Sequence, residues 1–128
     1  MAPHKACRMR RLWILLGSIA VAGCGEEPDS RPASWGYIHS AIIVPSCATI
    51  GCHSETSAQR GLNFEQEEST RSTLLQIGDV RPGDPNSKLI LQLQGVAFEQ
   101  RPRMPPDAPL PAADVELIRS WIQQGALP

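Results

Sequence analysis

Two thiols and an imidazole fall within seven residues, Cys47-Ala48-Thr49-Ile50-Gly51-Cys52-His53. Three chemistries use such a set. Covalent haem attachment needs two thiols to add to the porphyrin vinyl groups, and an imidazole directly after the second cysteine to reach the iron. The common spacing places two residues between the cysteines. Here there are four, a larger loop that can still bring both sulfurs to one porphyrin edge. The second chemistry is a local disulfide between Cys47 and Cys52, natural for two cysteines in an exported chain. Zinc is the third, but Cys47, Cys52 and His53 supply only three ligands, with no fourth cysteine and no paired-ligand spacing.

A c-type haem also takes a sixth iron ligand, usually Met or His. Of the three methionines, Met1 and Met9 lie in the N-terminal segment, leaving Met104 in Arg103-Met104-Pro105-Pro106. A methionine in a proline-rich loop is poor core filler. It suits a thioether held toward iron, the alternative being a loop residue packed on an apolar surface. The sequence holds no nucleophile–base pair, phosphate loop or carboxylate dyad, so no enzyme activity is expected.

The chain's N-terminus carries an address. Lys5, Arg8, Arg10 and Arg11 precede an apolar run at residues 12–20, and Val21-Ala22-Gly23 offers small residues before Cys24. This is the grammar of a secretory signal, and the run is too short to span a bilayer as a helix. Val-Ala-Gly-Cys resembles the lipobox of bacterial lipoproteins, which implies cleavage after Gly23 and lipidation of Cys24. Gly25 rather than Asp follows Cys24, so the expected location is the cell envelope, at the outer membrane and facing the periplasm or the cell surface. Residues 1–23 are thus read as signal peptide, 24–34 as lipidated cysteine and flexible tether, and 35–128 as the folded domain.

The 128 residues allow one compact domain. All 13 acidic residues but only eight of the 12 basic ones follow Gly23, a net of −5 for that part. An acidic module is a poor match for phosphate backbones, so a nucleic-acid partner is not expected. Aromatic content is 5% and proline numbers 12, predicting short elements joined by irregular segments. Apolar residues at helical spacing place a first helix over 35–44, ended by Pro45. A second is expected over 65–76, with an acidic first turn that suits the helix dipole. A third begins at an Asp84 N-cap with Pro85 in its first position and ends at Gly95. The clearest helix covers 112–124, with Val115, Ile118 and Ile122 on one stripe and Gly125 as its C-cap glycine. No strand is expected. The fold class is all-α, with about four short helices and long loops.

In their order along the chain, five segments resemble the cytochrome-c-like domains common in planctomycetes and myxobacteria. They are residues 42–53 (IIVPSCATIGCH), Gly61-Leu62-Asn63-Phe64, residues 80–85 (VRPGDP) with Ser87, Arg103-Met104-Pro105-Pro106, and residues 118–126 (IRSWIQQGA). The resemblance implies a cytochrome-c-like fold whose first and last helices pack together, and one haem c. Cys47 and Cys52 would be its thioether attachments, His53 the proximal iron ligand and Met104 the distal one. It implies electron transfer with a redox protein partner that the sequence does not identify. It also makes His39, on the first helix, a solvated or capping residue rather than a ligand. Candidates for the apolar wall are Leu62, Phe64, Ile77, Leu93 and Phe98. Trp121, Ile118 and Ile122 are expected to meet Ile38, Ile42 and Tyr37, with Gly36 allowing close approach of the two terminal helices. The alternative function is a haem-free surface lipoprotein, a binding or structural module with a Cys47–Cys52 disulfide.

Overall fold

The computed structural model describes residues 27–128. Cys24 and the signal segment lie outside the described residues. Within these the chain is all-helical, with four helices and no strand. Helix α1 (35–47) is α-helical over Trp35–Ile38, π-helical over His39–Ile43 and α-helical again over Val44–Cys47. A short 3-10 turn, Gln59–Gly61, precedes α2 (Glu67–Gln76), α3 (Lys88–Gln94) and α4 (Ala112–Gln123).

Pro45 does not end the first helix, as its lack of an N–H would suggest. It lies inside α1, directly after the π-helical turn. A proline ring crowds the carbonyl four residues back, and a wider turn relieves that crowding. There the Val44 N–H reaches back five residues to the His39 carbonyl. The Ser40 hydroxyl donates to the Gly36 carbonyl at 2.8 Å, satisfying a group near the widened turn. The helix therefore continues to Cys47 and delivers that thiol from a rigid element.

The third helix also begins elsewhere than its sequence suggests. Asp84 caps a turn rather than a helix: its carboxylate accepts the Asn86 N–H at 2.9 Å, and its carbonyl accepts the Ser87 N–H at 3.1 Å. The Ser87 hydroxyl donates within the same turn, to the Asp84 carbonyl at 2.9 Å, and α3 starts only at Lys88. Its C-terminal end agrees with expectation, since Gly95 takes the left-handed conformation at φ 71°.

The core lies between the terminal helices. Trp35 of α1 and Trp121 of α4 stack at 4.7 Å between ring centroids, tilted by 28°, and both are buried. Ile38, Ile42, Ile118 and Ile122 join the same buried cluster. Each side chain of this size contributes roughly 1.5–3 kcal/mol on burial. Both indole N–H groups find carbonyls, Trp35 that of Glu67 at 3.0 Å and Trp121 that of Leu127 at 2.7 Å, so neither ring costs an unpaired donor. The expected crossing at Gly36 is not where the terminal helices meet. A Cβ there would approach the Glu67 carboxylate at 3.3 Å, beside α2.

Two residues of the segment read as tether, Arg31 and Ala33, touch the domain before Trp35. Arg31 hydrogen-bonds the carboxylates of both Asp29 and Asp114, the latter on α4, and Ala33 rests on the core.

Candidate functional site

Cys47 ends α1, and the chain then turns back on itself through hydrogen bonds that fix the next two chemical groups. The His53 N–H donates to the Cys47 carbonyl at 3.0 Å, and the Cys52 N–H to that of Thr49 at 3.0 Å. Gly51 makes the turn possible with φ 90°. On its far side the Gln59 N–H returns to the Cys52 carbonyl at 3.0 Å, and the Phe64 N–H to the His53 carbonyl at 2.7 Å. The sequence at 47–64 thus folds into a compact knot around His53, which the bare Cys-Cys-His spacing does not reveal.

The imidazole of His53 is oriented from two sides. Its Nδ1 lies 3.2 Å from the Gln59 carbonyl. A carbonyl only accepts, so Nδ1 is the donor, and in the neutral ring this leaves the lone pair on Nε2, the tautomer a metal ligand needs. Such a partner on the distant ring nitrogen fixes ring orientation and raises ligand basicity. The Phe64 ring lies 4.7 Å from the imidazole between centroids. Ala58 and Arg60, flanking Gln59, have φ of 37° and 57°. Backbone strain of this kind persists only where its surroundings hold it, and here the strained pair brackets the carbonyl that orients His53.

Cys47 and Cys52 are both free thiols. Burial pushes the Cys47 thiol up to about 11, with a smaller contribution from Cys52 beside it. Among the described residues no group of three or more His, Cys, Asp or Glu side chains could hold a metal ion. Cys47, Cys52 and His53 therefore do not converge as a zinc site would require. Haem attachment asks something else of them: sulfurs at a porphyrin edge and an imidazole over its face.

Cys47, Cys52, His53 and Met104 line one open-sided cavity of about 510 Å³, within the size range of cofactor sites. Of the apolar wall expected from sequence, Leu62, Phe64, Ile77 and Leu93 line it. Phe98 does not; its ring lies 5.5 Å from the Arg101 guanidinium, as a cation–π partner. Leu74 and Leu89 complete the wall. Neither was singled out for it in the sequence, where both read only as helix residues. Asp79, Arg101 and Gln92 also face the cavity, and nothing in their sequence context distinguishes them. The donor set and the lining fit a c-type haem: two thiols, one imidazole oriented through Nδ1, one thioether and a largely apolar interior.

His39 stands apart from this cavity. It is buried, not solvated, and its Nε2–H donates to the Phe64 carbonyl at 3.0 Å. Its effect on the site is indirect: it holds the backbone of the residue whose ring packs on His53.

The chain matches no protein-family model, no curated protein and no solved structure.

Proposed function

We propose that this chain carries one covalently attached c-type haem and passes electrons through it, as a lipoprotein held on the cell envelope by Cys24. The observation that carries the reading is the lining of a single cavity by Cys47, Cys52, His53 and Met104, residues up to 57 positions apart in sequence. The bound haem would supply a one-electron Fe(III)/Fe(II) couple. Cys47 and Cys52 would hold it through thioethers. His53, oriented by the bond from Nδ1 to the Gln59 carbonyl, would ligate the iron through Nε2. The Met104 thioether would be the second protein ligand, which would favour the reduced iron relative to a second imidazole. Leu62, Phe64, Leu74 and Leu93 would give the group an apolar wall. Were His53 and Met104 both to ligate the iron, no open site would remain for a substrate, and the role would be electron transfer to a redox protein partner.

Expression with haem-attachment machinery tests the reading. The expected product gains the mass of one haem and keeps its visible absorption after acid–solvent extraction. A haem-free product containing a Cys47–Cys52 disulfide would instead make the chain a binding or structural module of the envelope.

The anchor is tested separately. Wild-type protein should partition with membranes and Cys24→Ser should be released from them. Retention of the Cys24→Ser variant in the membrane fraction would rule out a lipid anchor.

A further inference from the structure

The segment between α3 and α4, residues 95–111, has no helix or strand of its own, yet it must present Met104 to the cavity. Its Glu99 and Gln100 have φ of 45° and 57°, conformations that need outside support. Three polar contacts tie its middle to the rest of the domain. Lys88 pairs with Glu99 at 3.0 Å, but Glu99 is 57% exposed, and exposed pairs stabilise little. The Met104 N–H donates to the Gln92 carbonyl at 3.1 Å. The third contact is of another kind: Arg101 Nη1 lies 2.8 Å from the carboxylate of Asp79, whose side chain is only 8% exposed.

Asp79 is fixed before Arg101 reaches it. Its N–H donates to the Leu74 carbonyl at 3.1 Å, and its carbonyl accepts the Leu89 N–H at 2.9 Å, so its backbone bridges α2 and α3. A carboxylate held there with its cation withdrawn would be a buried unpaired charge, which is strongly unfavourable. Lifting the 95–111 segment away would create that state. Asp79, Arg101 and Met104 all line the same cavity, and Arg101 precedes Met104 by three residues.

We propose that Asp79 is a positioning residue: through Arg101 it pins the 95–111 segment against the cavity and so holds the Met104 thioether in place. Its role in iron ligation rests on the electron-transfer reading, whereas the pinning itself does not. The pair acts locally, because α1 and α4 have their own core of stacked tryptophans and isoleucines. Its loss should therefore free the segment while leaving those helices closed.

Hydrogen exchange on the protein as isolated reads this directly, since the Met104 amide is bound to Gln92. In Asp79→Asn, exchange at Met104 and across residues 96–108 should rise by about tenfold or more, while Ile118 and Ile122 amides change far less. Arg101→Gln breaks the pair from the part-exposed side and should do the same, giving a second variant should Asp79→Asn not fold. Lys88→Gln, which removes only the exposed pair, should leave Met104 exchange as in wild type. On haem-bearing protein, Asp79→Asn should also weaken the long-wavelength sulfur–iron absorption and speed the binding of added imidazole. Unchanged Met104 exchange in both variants would overturn the proposal, as would an increase spread evenly over the whole domain. Local loosening in a protein that carries no haem even after expression with haem-attachment machinery would uphold the pinning and overturn the electron-transfer reading.

Discussion

Trp121→Ala is expected to destabilise the domain by about 3–5 kcal/mol, the range for removing a large aromatic side chain from a core. Trp121 is 2% exposed and stacks on Trp35, so its removal opens a cavity between the first and last helices. The loss extends beyond packing. The Leu127 carbonyl loses the indole N–H that binds it at 2.7 Å, and Trp35 loses its stacking partner. Next to this contact the Arg71 guanidinium binds the Ala126 carbonyl at 2.9 Å, so the C-terminal residues are held partly by the ring and partly by α2. Small domains have total stabilities of about 5–15 kcal/mol, and much of this one is irregular loop. Chemical denaturation of Trp121→Ala should show a midpoint far below that of wild type, or no folded baseline at all. A variant that melts like wild type would show that the stacked pair does not hold the terminal helices together.

The same pair illustrates what could be read from sequence. The stripe Val115, Ile118, Ile122 with Trp121 beside it gave α4 nearly to the residue, because its apolar period is long and unbroken by proline. Gly125, at φ 104°, follows it as expected of a C-cap glycine. The partners Ile38 and Ile42 were legible on α1 for the same reason. Pro45 and Pro85 were the misleading residues. Each is a local signal whose usual meaning was overridden, Pro45 by a π-helical turn that gives its ring room, Pro85 by an Asp84–Ser87 turn that delays α3 to Lys88. A widened helical turn has no compositional mark, and Asp-Pro-Asn-Ser serves a turn as readily as a helix start.

The site divides along similar lines. Residues whose chemistry is rare in this chain, Cys47, Cys52, His53 and Met104, stood out by type alone, and the structure brings them to one cavity. Residues that act through their backbone or by pairing did not. Gln59 orients His53 through its carbonyl, a group that every residue possesses. Asp79 and Arg101 are 22 positions apart and look like two surface charges until the fold buries one against the other. His39 was read as solvated or capping; it is not solvated but buried, and its ring bonds the Phe64 backbone carbonyl.

Met104→Ala is expected to leave haem attached and to change its electronic properties sharply. On the proposed reading attachment would depend on Cys47, Cys52 and His53, none of which is bonded to the Met104 side chain. The segment should also stay docked, because the Met104 N–H to Gln92 bond is a backbone contact and the Asp79–Arg101 pair is untouched. The substitution therefore removes a sulfur and little else. Axial ligands set haem potentials over a range of roughly 0.8 V, and a Met thioether lies toward its upper part. Loss of that ligand should lower the potential by on the order of 0.1 V or more. It should also open a coordination site, so that imidazole or cyanide, which are expected to bind wild-type protein poorly, bind readily. The contrast with Asp79→Asn is informative: there the sulfur remains but its support is loosened, so the potential and ligand access should lie between wild type and Met104→Ala. Redox titration and ligand-binding spectra of the three proteins check this order. A Met104→Ala protein with the potential and visible spectrum of wild type would exclude Met104 as the distal ligand and leave it a residue of the cavity wall.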